Sequence, residues 1–82
     1  MKTVAKSQIL KDAGYAYSFQ REIYVNRKTR KVFSIDFVED HGELELESCI
    51  NEPSPPNGEW RFYFNSPPSD AVVRELSNVL GQ

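Results

Sequence analysis

Residues 24–37, YVNRKTRKVFSIDF, join two apolar segments through a strongly basic one. Alternating apolar side chains on both sides of a charged, polar segment are typical of a β-hairpin. Placing Val25 opposite Phe33 leaves a loop of three or five residues and turns both apolar rows towards one face of the sheet. The sequence therefore predicts a hairpin whose tip carries four cations. These are Arg27, Lys28, Arg30 and Lys31.

The same alternation extends the first strand of this hairpin back to Tyr15. It also predicts two further strands, residues 43–50, ELELESCI, and residues 59–65, EWRFYFN. Gly42 and the proline-rich residues 51–58 separate these segments, because glycine and proline favour turns and loops. Four strands joined by short connections predict an antiparallel meander.

Helices are predicted at the two ends of the sequence. Residues 3–13 form the first, and Gly14 ends it in a left-handed conformation. The second follows Ser66 or Ser69 and has apolar residues one helical turn apart. The predicted fold is therefore one α+β domain, residues 1–82, with the order α-β-β-β-β-α and both helices packed on one face of the sheet. The apolar positions of the second helix are Val72, Val73, Leu76, Val79 and Leu80.

Composition excludes several classes of protein. Of the 82 residues, 39% are hydrophobic and 27% are charged, which fits a folded domain better than a disordered chain. No apolar run approaches the roughly 20 residues that span a bilayer, and residues 1–14 contain no secretory signal. Cys49 is the single cysteine, so an internal disulfide is excluded. We therefore expect a cytoplasmic protein without membrane contact.

Charge is divided unevenly along the chain. Residues 1–34 contain eight Lys or Arg and two acidic residues, a balance of +6. Residues 35–82 contain two Arg and ten acidic residues, a balance of −8. Opposite halves attract each other within the fold, and they can also leave an acidic and a basic patch for partners.

The sheet face turned away from the helices is the first candidate site. Aromatic and apolar side chains on this face alternate with carboxylates, a composition suited to a protein interface. The sequence predicts a non-enzymatic module, acting as a regulator, adaptor or inhibitor, that binds another protein here. The residues of this predicted face are Tyr24, Val32, Val38, Glu43, Glu45, Glu47, Arg61 and Tyr63.

The basic hairpin tip is the alternative site. Its four cations could bind phosphates, and nearby Tyr24 could stack on a base. The competing interpretation is a solvated loop that keeps the hairpin soluble. A third interaction is pairing with a second copy of the chain through the first or fourth strand, at the edges of the sheet.

Catalysis, metal binding and cofactor binding are not predicted. A catalytic cysteine needs a base close to it. In the predicted strand Cys49 lies over 20 Å from His41, at about 3.3 Å for each intervening residue. The acidic residues around His41 match no calcium-loop spacing, and no glycine-rich phosphate loop is present.

Overall fold

The computed structural model describes residues 2–81, with side chains from residue 5 onward. Two predictions are confirmed: the fold is α+β and the sheet has four strands. The predicted element order is wrong in two places: the single strand predicted from Tyr15 to the hairpin loop is two paired strands, and helices replace the strand predicted at residues 43–50. The elements are α1 (Lys2–Asp12), β1 (Ala16–Ser18), β2 (Ile23–Asn26), β3 (Lys31–Ser34), α2 (Ile35–Asp40), α3 (Glu43–Asn51), a 3₁₀ turn (Pro56–Gly58), β4 (Arg61–Tyr63) and α4 (Asp70–Leu80).

Two four-residue loops connect the first three strands. Residues 19–22 join β1 to β2, and residues 27–30 join β2 to β3. Each loop ends on a residue with positive φ, Glu22 at 53° and Arg30 at 59°. In the second loop, the side-chain oxygen of Asn26 accepts hydrogen bonds from the backbone N–H groups of Lys28 and Thr29. Asparagine often fixes turns in this way.

The four-residue loop sets a register one residue away from the predicted one. Val25 lies opposite Val32, and Tyr24 lies opposite Phe33. The predicted pairing of Val25 with Phe33 is therefore wrong. Because successive side chains of a strand point to opposite faces, this shift places apolar side chains on both faces of the sheet.

Residues 43–50, predicted as a strand, lie in helix α3. Leu46 is buried, and Cys49 and Ile50 pack against the same cluster. Their spacing of three and four residues is the helical period. Glutamate also favours helices and is depleted in strands, so local preference and burial agree on a helix.

Strand β3 ends at Ser34, although the alternation of apolar residues continues to Phe37. The hydroxyl oxygen of Ser34 accepts a hydrogen bond from the backbone N–H of Phe37 at 3.2 Å. This is the N-cap that starts α2, and serine is among the residues preferred at that position.

The sheet is mixed rather than antiparallel throughout. Its strand order is β1-β2-β3-β4, and β4 runs parallel to β3. A parallel neighbour needs a long crossover connection, which α2, α3 and the 3₁₀ turn provide. The predicted all-antiparallel meander is therefore wrong at its last strand.

Both faces of the sheet are covered by helices. The first cluster joins one face to α1, α2 and α3, and the second joins the opposite face to α4. The prediction that both terminal helices share one face is wrong, because the register places apolar residues on each side. The buried residues are Leu10, Tyr15, Tyr24, Phe33, Val38 and Leu46 in the first cluster, and Ile23, Val32, Leu76 and Leu80 in the second.

No helix within residues 2–81 is both long and apolar enough to cross a membrane. The predicted start of α4 is confirmed, since Ser69 is its N-cap and its hydroxyl oxygen accepts a hydrogen bond from the backbone N–H of Val72.

Candidate protein-binding surface

The predicted outward sheet face is not an exposed surface. Tyr24, Val32 and Val38 are buried, Tyr24 and Val32 in different clusters. Tyr63 is half-buried and stacks on Phe33 with ring centroids 4.5 Å apart. Of the eight residues predicted for this face, four remain exposed, and they belong to different elements. These are Glu43, Glu45 and Glu47 on α3 and Arg61 on β4.

Lys31 does not belong to the solvent-exposed hairpin tip. Its side chain is 1% exposed. The ammonium group donates hydrogen bonds of 2.9 Å to the backbone oxygens of Cys49 and Ile50, and another to that of Glu52. These three carbonyls lie at the C-terminal end of α3. Burial lowers the pKa of Lys31, and Glu52 partly opposes that change. The predicted phosphate contact at Lys31 is therefore wrong.

The other three cations of the tip are exposed. Arg27 Nε donates a hydrogen bond of 3.1 Å to the backbone oxygen of Leu80, the last residue of α4. The guanidinium carbon of Arg30 lies 5.8 Å from the ring centre of Trp60, within range of a cation–π contact. Lys28 extends from the loop. The hairpin thus retains part of the predicted basic site, but buried Tyr24 cannot stack on a base.

Cations from other elements bind the C-terminal ends of three helices. None of α2, α3 and α4 has a basic residue in its last turn. Lys6 reaches the backbone oxygen of Glu39 in α2 at 3.0 Å, Lys31 reaches α3, and Arg27 reaches α4. A positive charge at this end of a helix is favourable because the backbone dipoles leave it partly negative. Part of the basic half of the chain is thus used inside the fold.

The acidic half keeps its charges on the outside. We call the exposed carboxylates between residues 39 and 47, together with Leu44, the acidic helical surface. This part of the sequence contains no compensating cation, since no Lys or Arg occurs in residues 32–60. The carboxylates are Glu39, Asp40, Glu43, Glu45 and Glu47, whereas Asp36 lines a different recess together with Arg21.

Helix stability explains only part of this charge. Glu43 and Glu45 lie in the first turn of α3, where the helix dipole favours negative charge. Glu47 lies one turn after Glu43, and like charges at that spacing cost about 0.2–0.5 kcal/mol. The repulsion between Glu43 and Glu47 therefore slightly lowers the stability of the fold.

Leu44 is 82% exposed and lies between Glu43 and Glu45 in the sequence of α3. A single exposed leucine is common on protein surfaces, so Leu44 indicates an interaction site only in combination with the residues near it. In the adjoining sequence, where α2 meets α3, a notch of about 340 Å³ is lined by Lys6, Glu39, Asp40, His41, Gly42 and Glu43. The ammonium group of Lys6 is hydrogen-bonded to the backbone oxygen of Glu39, so the three carboxylates leave the notch with a net negative charge that favours a basic side chain.

The side chains of this region offer no activated nucleophile. Burial raises the pKa of the Cys49 thiol, which disfavours the reactive thiolate. His41 stacks on Phe37 with ring centroids 3.9 Å apart, and its Nδ1 lies 2.9 Å from the backbone oxygen of that residue. Within residues 2–81 no group of three or more potential ligands is placed to hold a metal ion.

Leu44 is the residue of this surface that sequence reasoning missed. In a strand of residues 43–50, Leu44 and Leu46 would point to the same face, because side chains two residues apart share a face, whereas a helix separates them. The signal that could have found it was the spacing of Leu46, Cys49 and Ile50, which defines the buried side of α3 and leaves Leu44 outside.

Comparison of the chain with protein-family models, with curated proteins and with solved structures finds no match.

Proposed function

We propose that the protein is a small, non-enzymatic interaction module that binds a basic region of another protein through its acidic helical surface. The observation that carries this proposal is the exposed Leu44, flanked by Glu43 and Glu45 in a segment, residues 32–60, that contains no Lys or Arg. The cytoplasm is the proposed compartment, where a single cysteine such as Cys49 stays reduced.

Leu44 and the carboxylates have different roles in this proposal. Leu44 enters an apolar pocket of the partner and supplies buried area, while a partner Lys or Arg occupies the notch beside Glu43. The surrounding carboxylates accelerate encounter and select a partner of opposite charge. Because exposed charges are screened by salt, association should slow as ionic strength rises.

The test is affinity capture from the native cytoplasm, with nuclease treatment, followed by affinity measurement on the purified partner. Two variants probe the surface, Leu44→Ala and the triple variant Glu43→Gln, Glu45→Gln, Glu47→Gln. We expect each to reduce affinity by about tenfold or more, as losing 1.4 kcal/mol of binding free energy requires.

A matched control removes three carboxylates elsewhere: Asp12→Asn, Glu59→Gln and Glu75→Gln. All three are exposed and lie outside the acidic helical surface. The control variant should bind as the wild type does. Equal loss in both triple variants would indicate an effect of net charge alone and would contradict a specific surface.

The alternative function is nucleic-acid binding through the basic loop, favoured by the exposure of Arg27, Lys28 and Arg30. Three phosphate contacts correspond to a slope of log affinity against log salt of about −2.7, which is weak binding at physiological salt. If affinity capture recovers partners without nuclease treatment but not with it, the result would favour this alternative. A dimeric mass for the purified protein would instead indicate pairing with a second copy.

A further inference from the structure

Helix α4 leaves part of its sheet face uncovered. Ala16 and Ser18 of β1 lie opposite Val25 and Ile23 of β2, so all four side chains point to the face that carries α4. The two β1 side chains are small, and a groove of about 460 Å³ remains beside the end of α4. This volume is in the range of roughly 300–1,000 Å³ typical of small-molecule sites.

The groove has an apolar centre and a cation at each end. Ile23, Val25, Val79 and Leu80 line it, with Arg21 and Arg27 before and after β2. Among the described residues that line it, none is acidic. The charge of the lining is therefore positive, in contrast to the acidic helical surface.

The two arginines are not equivalent. Arg21 already faces a carboxylate, with its Nη1 3.8 Å from Glu75 Oε1. Arg27 is oriented by the 3.1 Å hydrogen bond from its Nε to the backbone oxygen of Leu80. Among the side chains of residues 5–81 and the backbone that the structure describes, no hydrogen-bond partner of its terminal NH₂ groups is seen. An oriented guanidinium suits a planar carboxylate or a phosphate, which it binds through two parallel hydrogen bonds when its donors are free.

We propose that this groove binds an anionic amphiphile, a molecule with one carboxylate or phosphate group on an unbranched apolar chain. The anionic group contacts Arg27, and the chain lies over Val25 and Ile23 towards Ser18. The positive charge of the lining would repel a cationic headgroup. A small inorganic anion alone would leave the apolar centre of the groove unfilled. This site is separate from the acidic helical surface and does not depend on its function.

The test is calorimetric titration of the whole chain below the critical micelle concentration, with decanoate, decyl phosphate, decanol and acetate as probes. We expect decanoate or decyl phosphate to bind at least about tenfold more tightly than decanol and acetate, because a charged hydrogen bond and apolar burial are both required. The tighter of the two anions identifies the headgroup.

Variants locate the site. Arg27→Gln should weaken binding by about tenfold, whereas Arg30→Gln, in the same loop but outside the groove, should leave it unchanged. Ala16→Trp should block the groove without removing any cation, and it provides the test if Arg27→Gln does not fold. Decanol binding as tightly as decanoate, or full binding by Ala16→Trp, would overturn the proposal.

Discussion

At Lys31 an ammonium group exchanges water for three backbone carbonyls at the end of α3. Taking a charge out of water is costly, and hydrogen bonds to the charge must offset that cost. At this partly buried helix end the carbonyl of Cys49 also accepts a hydrogen bond from the backbone N–H of Glu52 at 3.3 Å, and Lys31 adds a charged donor shared by all three carbonyls. Lys31 therefore connects β3 to α3, a role that its position in a basic run does not reveal.

Replacing Lys31 with Met keeps the apolar stem and removes the three hydrogen bonds. We expect Lys31→Met to reduce the free energy of unfolding by about 2–4 kcal/mol, because three partly buried carbonyls lose hydrogen bonds to a charged donor. Urea denaturation at pH 7 measures the change. Lys28→Met, in the exposed loop, should alter it by less than about 0.5 kcal/mol. Equal effects of the two substitutions would show that Lys31 is not held as described.

Tyr63 makes the stability of the folded protein vary with pH in the alkaline range. Burial and the hydrogen bond that its hydroxyl donates to Glu52 Oε1, at 2.7 Å, raise the pKa of Tyr63 from 10.0 to about 12. Between these values the folded protein binds more protons than the unfolded chain, so stability falls as pH rises. Below pH 10 the contribution of this group is fully present.

Tyr63→Phe should therefore differ most from the wild type below pH 10. Urea denaturation at pH 8 and pH 11 should show the wild type losing more stability than the variant between the two conditions. Some loss should remain in the variant, since burial also raises the pKa of Cys49. A difference between the two proteins that stays constant from pH 8 to pH 11 would contradict this assignment.

Among the elements, the ones with a helical period or a clear cap were predictable. α4 follows from its apolar spacing and from Ser69, and the β2–β3 hairpin follows from alternation on both sides of a polar loop. The register was not predictable, because three- and five-residue loops place both apolar rows on one face, whereas the observed four-residue loop places them on opposite faces, each of which packs against helices. The observed loop depends on the Asn26 side chain and on the positive φ of Arg30.

The candidate surface was predictable in its carboxylates but not in its shape. Residues 43–47 alternate apolar and acidic residues, and a period of two fits this short segment as well as one face of a helix does. Burial of Leu46 against α1 and α2 resolves the choice, and this tertiary contact lies far away in sequence. The aromatic residues predicted for the surface, Tyr24 and Tyr63, are buried or half-buried because α1, α2 and α3 cover their face of the sheet.

A pair of leucines two residues apart tests the helical assignment of α3. Leu46 is fully buried and Leu44 is 82% exposed. Leu46→Ala should cost about 2–5 kcal/mol of unfolding free energy, and Leu44→Ala should change it by less than about 0.5 kcal/mol. Thermal or urea denaturation compares the two. Similar costs would favour the strand, in which both side chains face inward.

At the scale of the molecule, the sheet separates two clusters that the sequence had suggested were one. Leu76 packs in the cluster beneath α4, while Val38 packs in the cluster on the opposite face. The changes in unfolding free energy caused by two substitutions usually add when the residues share no contacts, and usually do not add when the residues pack in one cluster.

A double-mutant cycle tests this separation. Leu76→Ala and Val38→Ala should destabilise additively within about 0.5 kcal/mol, whereas Leu76→Ala and Val32→Ala, from one cluster, should deviate from additivity by more. Urea denaturation in sodium sulfate keeps the double variants folded enough to measure, because that salt strengthens apolar burial. Strong coupling between Leu76 and Val38 would indicate a single continuous core.

The parallel pairing of β4 has a consequence for the order in which the sheet assembles. Asn26 and Lys31 pair across 5 positions of sequence, but Lys31 and Arg61 pair across 30. Closing the longer loop costs about 1.5 kcal/mol more chain entropy. The hairpin should therefore form early, and β4 should join last and detach first. Native-state amide hydrogen exchange should be faster at Phe62 than at Phe33, and equal protection of the two would indicate that all four strands open together.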